Sequence, residues 1–427
     1  MISRRAIVIG LDGMPFGLME RFAHDGTMPN FGALGDEGCF RQMASSIPEV
    51  SSVAWSSVIT GLNPGEHGVY GFTDVAPGTY RTTFPNFGHL RARPFWERER
   101  SGRSVIINVP TTFPAREMKG TLIAGFVALD LERATYPPSL VPTLEEMDYR
   151  VDVDSQKAHQ SLDFFLRDLD KTLQARIDVY RHLWSEEDWE TFVLVFTGTD
   201  RLAHFLWDAY EDETHKHHEA FRDHFRQIDD VIGEIAQALS EDDVLIMLSD
   251  HGFERLKMNV YVNHLLQEGG FLSFEEGASP SLRTMSEETT AFALDPGRIY
   301  VHLQDRYPNG SVAPAEREAV VNDLAALFSS LQLEGEPVIQ RVYRKEELYT
   351  GSQAHRAPDL VLLGHSGYNL RGNWKAKESF GTDIFTGKHS QADAFLLVWG
   401  TGAEQVTPDV PSVVDVVGVM DRMREIA

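Results

Sequence analysis

Three short apolar runs rich in β-branched residues constrain this chain more than any other feature: RAIVIG at 5–10, FVLVF at 192–196 and VLIML at 244–248. A run that is apolar throughout, without alternation, marks a strand covered on both faces, the situation of a parallel sheet between helices. Each run gives way to polar residues. Asp12 and Gly13 follow the first, Asp200 and His204 the second, and Ser249, Asp250, His251 and Gly252 the third. Ligand groups in open α/β sheets collect beyond the carboxyl ends of strands. The expected fold is a three-layer α/β/α sandwich with a largely parallel central sheet and inserted cap segments.

Between these runs the periodicity predicts helices over 17–23, 28–35, 155–184, 219–239, 313–331 and 412–424, with shorter ones around 96–100 and 259–268. Further strands are expected at 104–109, 121–126, 297–302, 337–344, 357–363 and 394–399. Residues 71–93 and 364–379 read as loops, as does 129–149 with Pro137, Pro138 and Pro142 as breakers. At 427 residues and 42% hydrophobic content the chain can bury a large core. Residues 1–427 read as one large α/β domain carrying a partial insert at 76–165 and a cap or specificity insert at 254–385, the two covering the carboxyl edge of the sheet.

Bulk properties exclude several classes of function. A net charge of −25 argues against a general nucleic-acid-binding surface, so an anionic substrate needs local positive charge, which bound metal ions can supply. The apolar run at 6–11 is too short for a signal sequence or a membrane span, and the expected location is cytoplasmic. The single cysteine, Cys39, excludes an internal disulfide and a cysteine-based metal cluster.

The candidate chemistry lies in polar residues at strand ends or in adjacent turns. In IPEVSSVAWSSVITG at 47–61, Ser51 and Ser52 stand at the N-terminus of a short apolar helix, where they can cap it or face an anion. Asp200 and His204 are four residues apart, a spacing that puts both on one helix face. That suits a metal chelate, and a capping aspartate followed by a surface histidine would give the same sequence. Adjacent Asp250 and His251 at a strand end are costly to bury without partners, and metal coordination satisfies both. His389 is expected in a turn just before the strand at 394–399. His67, within PGEHG at 64–68, reads as a loop-orienting residue. Asp12, Ser51, Asp200, His204, Asp250, His251 and His389 together could form two nitrogen/oxygen metal sites with a hydroxyl between them. Zinc suits that set, as would manganese or iron.

The order of these motifs resembles the alkaline phosphatase superfamily, most of all its type I phosphodiesterase/nucleotide pyrophosphatase branch. The matching pieces are GLDG at 10–13, SSVAWSSVITGLNPGEHG at 51–68, TDRLAH at 199–204, SDHGF at 249–253 and GKHS at 387–390. The resemblance implies that Asp12, Asp250, His251 and the nucleophile's oxygen hold one divalent metal, while Asp200, His204 and His389 hold the other. It puts the nucleophile at Ser51, with Ser52 one register step away. Relatives that hydrolyse nucleotides usually carry an asparagine shortly after the HG pair, where this chain has Gly71 and Phe72, which tells against nucleotide substrates. The CxPxR sequence of sulfatases is absent.

The function so implied is a metal-dependent phosphoric ester hydrolase acting through a phosphoserine on a small phosphate-ester substrate. A phosphotransferase or mutase of the same superfamily and a non-catalytic protein retaining the fold are the alternatives. Oligomeric state is not legible in the sequence.

Overall fold

The computed structural model describes residues 4–99, 101–128 and 130–426. They fall into two compact units, one comprising Met1–Leu62, Asn86–Glu254 and Ile384–Ala427, the other Asn63–Pro85 and Arg255–Asp383.

The first unit is built on an eight-stranded sheet. Its strands are β1 (Ala6–Leu11), β2 (Cys39–Met43), β3 (Ser104–Ile107), β4 (Gly120–Ile123), β5 (Thr135–Tyr136), β6 (Thr191–Phe196) and β7 (Val244–Leu248), joined by a late strand given below. A separate two-stranded ribbon pairs β8 (Gly252–Arg255) with β9 (Gly387–Ser390), and β10 (Ala394–Trp399) completes the main sheet in the order β2-β10-β7-β1-β6-β3-β4-β5. The five central strands β7, β1, β6, β3 and β4 are mutually parallel. β10, β2 and β5 run against their neighbours.

Helices cover both faces, as the uninterrupted apolar runs require. The main helices are α1 (Phe16–His24), α2 (Pro29–Glu37), α3 (Ser51–Thr60), α4 (Leu162–Glu186), α5 (Gly198–Glu211), α6 (His218–Ala238) and α7 (Val416–Glu425). Ile7, Ile9 and Leu11 of β1, Leu194 of β6 and Met247 of β7 point to one side, where they pack with Phe22, Phe31, Leu173, Leu202 and Ile228 from α1, α2, α4, α5 and α6. Alternate residues face the other side by the period-2 geometry of a strand. There α7 packs on β7, and the Trp55 indole of α3 lies over Gly10, so closely that a Cβ on Gly10 would stand 2.3 Å from Trp55 Cη2.

The second unit has its own core. An antiparallel sheet takes the order Ala291–Leu294, Arg298–Val301, Leu360–Gly364, Ile339–Arg344, and a three-stranded sheet joins Tyr368–Arg371, Met258–Tyr261 and Phe380–Gly381. Helix Arg317–Ser329 packs on the first of these sheets.

The element boundaries depart from expectation where a local polar residue outweighs periodicity. The helix expected over 155–184 is two, Gln156–Gln160 and α4, because the Ser161 hydroxyl caps the second by accepting from the Asp163 N–H. The loop expected at 129–149 holds helix Leu131–Ala134, β5 and helix Val141–Glu146, with Pro142 in the first helical turn, where proline is tolerated; Leu129 lies outside the described residues. The helix expected over 259–268 begins as strand Met258–Tyr261. The helix expected around 96–100 is a 3-10 turn, Phe95–Glu97, and Arg100 lies outside the described residues. His389 is in strand β9, not in a turn. His67 accepts a hydrogen bond from the Val69 N–H, consistent with a loop-orienting part. Among the described residues no helix is long and apolar enough to cross a membrane.

Candidate active site at the carboxyl edge of the sheet

Strand order places the acids side by side. β1 lies between β6 and β7, with Leu11 level with Phe196 and Gly10 level with Leu248. The segments carrying Asp12, Asp200 and Asp250 therefore leave the same edge of the sheet. β10 runs antiparallel to β7, so its first residues lie at that edge, and His389 just upstream is delivered to the same place. α3 brings Ser51 in its first turn.

All seven residues singled out in the sequence lie together in the first unit. Ser51 Oγ is 3.3 Å from Asp12 Oδ1 and 3.1 Å from His251 Nε2. His251 Nε2 is also 3.5 Å from Asp12 Oδ1 and 3.4 Å from Asp250 Oδ2. On the other side Asp200 Oδ1 is 3.0 Å from His389 Nε2 and 3.5 Å from His204 Nε2, and the two histidine Nε2 atoms are 3.0 Å apart. The stacked rings of His251 and His389, with centroids 3.8 Å apart, join the two groups. Ligand atoms of Asp12, Asp250 and His251 lie within 4.8 Å of one another, and so do those of Asp200, His251 and His389, so the His251 ring borders both. Ser52, the neighbouring candidate, is fully buried and its hydroxyl has no hydrogen-bond partner.

The outward-facing atoms of these side chains are all engaged. Each histidine Nδ1 meets a backbone carbonyl: His251 that of Gly252, His204 that of Gly387, His389 that of Glu49. A carbonyl only accepts, so each Nδ1 carries the proton and each Nε2 turns a lone pair inward. The carboxylates are held likewise through one oxygen. Trp55 Nε1 donates to Asp12 Oδ2 at 2.9 Å, the Gly13 N–H to Asp250 Oδ1 at 3.2 Å, and Arg201 Nη1 to Asp200 Oδ2 at 3.0 Å. Gly13 has φ +72°, and a Cβ there would meet His251 and Asp200 at 3.1 to 3.2 Å, so both conformation and space call for glycine.

Inside this ring of outward bonds, acceptors face acceptors. Asp250 Oδ2 is buried without a hydrogen-bond partner, a costly condition for a carboxylate. Burial and the neighbouring Asp250 and Asp200 charges push Asp12 well above the usual carboxylate range, and burial together with Asp200 does the same to Asp250. Asp200 goes the other way: burial opposes its charge, but His204, His389 and Arg201 outweigh it and hold the carboxyl low. Burial lowers all three imidazoles, His251 to about 4, keeping them neutral near pH 7. Three carboxylate oxygens, three imidazole lone pairs and a hydroxyl converging in a buried space fit two divalent cations of nitrogen/oxygen preference.

Trp55, Gly13, Arg201 and Asp152 were not singled out in the sequence. Trp55 carried a signal, since it lies four residues after Ser51 and so on the same helix face. Asp152, which accepts from Arg201 Nε and Nη2 at 3.1 and 2.9 Å, carried none, being 49 residues away in an irregular segment.

Solved structures with the same architecture have distant sequences. Phosphonoacetate hydrolase from Sinorhizobium meliloti 1021, in complex with phosphonoformate, aligns with TM-score 0.65 and 15% identity over 98% of this chain and 95% of its own. Murine ectonucleotide pyrophosphatase/phosphodiesterase 5, as an inactive variant in complex with AMP, aligns with TM-score 0.57 and 12% identity over 100% and 96%. The human form of that protein aligns with TM-score 0.55 and 12% identity over 99% and 96%. The comparison with curated proteins found no match. The fold is thus alkaline phosphatase-like. The family model for type I phosphodiesterase/nucleotide pyrophosphatase matches residues 6–391, and the chain belongs to that family of phosphoric ester hydrolases.

Proposed function

We propose that the protein is a metal-dependent phosphodiesterase or phosphatase that works through a phosphoserine at Ser51. The observation that carries this reading is the position of Ser51 Oγ, at the first residue of α3 and within 3.3 Å of both Asp12 Oδ1 and His251 Nε2, beside the orphaned Asp250 Oδ2. Asp12, Asp250, His251 and Ser51 would hold one divalent cation and Asp200, His204 and His389 the other, zinc suiting the donor set best. When bound, the cations would supply the positive charge that favours the ionised Ser51 hydroxyl and offsets the charge on the transferred and departing oxygens.

Ser51 Oγ, having lost its proton, attacks phosphorus in line. A bond forms between Ser51 Oγ and phosphorus while the bond to the ester oxygen breaks, and the departing alkoxide takes a proton from solvent, balancing the one Ser51 gave up to it, and leaves as the alcohol. Water then attacks the phosphoserine, restoring the Ser51 hydroxyl and releasing the phosphoryl product. Ser51 is the first residue of α3, and a helix N-terminus favours an anionic group such as the one attacked. The Nδ1 hydrogen bonds of the three histidines fix their tautomer throughout.

The test is hydrolysis of bis(p-nitrophenyl) phosphate and p-nitrophenyl phosphate by zinc-loaded, manganese-loaded and chelator-treated protein. Ser51→Ala is expected to lower turnover by about 10³-fold or more while metal content is retained. Turnover in that variant close to wild type would remove Ser51 from the mechanism.

A further inference from the structure

The three site carboxylates are each held through one oxygen, but by donors of different kinds. Asp12 is held by a neutral indole and Asp250 by a backbone N–H, whereas Asp200 is held by a guanidinium. Arg201 is the next residue on the same helix, where adjacent side chains diverge. It reaches Asp200 because its other groups are tethered. Nε and Nη2 both donate to Asp152 Oδ2, and the guanidinium lies over the Phe126 ring at 4.3 Å. Asp152 in turn accepts from the Val153 N–H through Oδ1. The Asp200–Arg201–Asp152 row is largely buried, with side-chain exposures of 5%, 19% and 16%.

We infer that Arg201, backed by Asp152, is a positioning residue that occupies Asp200 Oδ2 and so presents Asp200 as a one-oxygen ligand beside His204 and His389. This rests on the reading of those three residues as cation ligands. With Oδ2 committed to Arg201, only Oδ1 faces the two Nε2 atoms. Without that hold Asp200 is free to rotate, and Oδ1 is no longer pre-set toward the two Nε2 atoms, so a cation there must order the carboxylate itself on binding. Because Asp152 lies directly behind Arg201, the guanidinium brings this orientation without adding net charge to the site. The arrangement is an outer hydrogen bond that orients a metal ligand, built here from an ion pair.

The test separates orientation from charge. Arg201→Gln combined with Asp152→Asn removes both members of the pair, leaving net charge unchanged and the hold on Asp200 lost. Arg201→Lys keeps the charge and loses the planar fork. Zinc affinity is measured by competition with a chelating dye, zinc content by elemental analysis, and retention of fold by melting of the chelator-treated proteins. The double variant is expected to bind one zinc as wild type does and the other about 10- to 100-fold more weakly. Arg201→Lys should fall between. Two zincs bound by the double variant as tightly as, or more tightly than, by wild type would overturn the role of Arg201. Wild-type protein that binds no zinc would overturn the ligand assignment itself, before any variant is made.

Discussion

Asp250→Asn should make the metal-free protein more stable while removing its activity. Asp250 Oδ2 is buried, has no hydrogen-bond partner and faces His251 Nε2, itself an acceptor, at 3.4 Å. An asparagine of the same shape keeps Oδ1 for the Gly13 N–H and places an amide N–H where the orphaned oxygen stood, turning an acceptor conflict into a donor–acceptor contact. It also removes a charge whose ligand atom lies within 4.8 Å of that of Asp12. At an effective dielectric of about 20, two unit charges at that separation repel by about 3.5 kcal/mol. Partial protonation relieves some of this repulsion, so the expected gain is about 1–3 kcal/mol, or a rise of roughly 1–3 °C in melting midpoint for a chain of this size. The sign with pH follows from the direction of the shift. Asp250 is raised in the folded state, so folded protein binds more protons than unfolded protein above about pH 4, and wild type loses stability as pH rises from there to the folded pKa. The variant lacks this loss, and its advantage should widen between pH 5 and pH 8. The assay is thermal melting after chelator treatment at both pH values, followed by zinc addition, which should stabilise wild type more than the variant. A variant that melts at or below wild type at pH 8 in chelator would refute the argument that these acids are in electrostatic conflict.

Two further outcomes follow from the same geometry. Burial lowers all three imidazoles, His251 to about 4, so zinc content measured against pH should fall below, not at, the ordinary imidazole value of about 6.5; release centred at pH 6.5 or above would contradict that burial effect. Gly10→Ala would put a Cβ 2.3 Å from Trp55 Cη2, forcing the indole off Asp12 Oδ2, and should destabilise by about 1–3 kcal/mol with a change in tryptophan fluorescence and weaker zinc binding; an unchanged emission spectrum and zinc affinity would show that the indole has room to move.

Most of the candidate residues were legible because they sit at the end of an apolar strand or within a few residues of one, and strand ends in a parallel sheet share an edge. Asp12, Asp200, Asp250 and His251 could be found from strand runs alone, without any knowledge of strand order. His389 was harder. It was expected in a turn and lies in β9, a short strand paired with β8, because its neighbours Gly387 and Ser390 carry no apolar alternation to announce a strand. The segments at 129–149 and 259–268 were misread for a related reason: their helices and strands, two to seven residues long, are too short for a period to show. What holds these side chains was the least legible. The Asp152 contact to Arg201 spans 49 residues and the Gly13 contact to Asp250 spans 237, and nothing local in either partner encodes the other.

The position of α3 shows how one helix face serves two purposes. Ser51 and Trp55 are four residues apart and both fully within the helix, so their side chains rise from the same face. One brings the hydroxyl to Asp12 Oδ1, the other donates to Asp12 Oδ2, so α3 touches both oxygens of one carboxylate. That grip is possible because β1 has glycine at position 10, beneath the indole, and because β1 lies between its acid-bearing neighbours β6 and β7. A shift of α3 along the sheet would therefore move the hydroxyl and the clamp on Asp12 together, keeping their spacing while changing both relative to Asp250 and His251. The contact between Ser51 and Asp12 therefore depends on how α3 packs on β1.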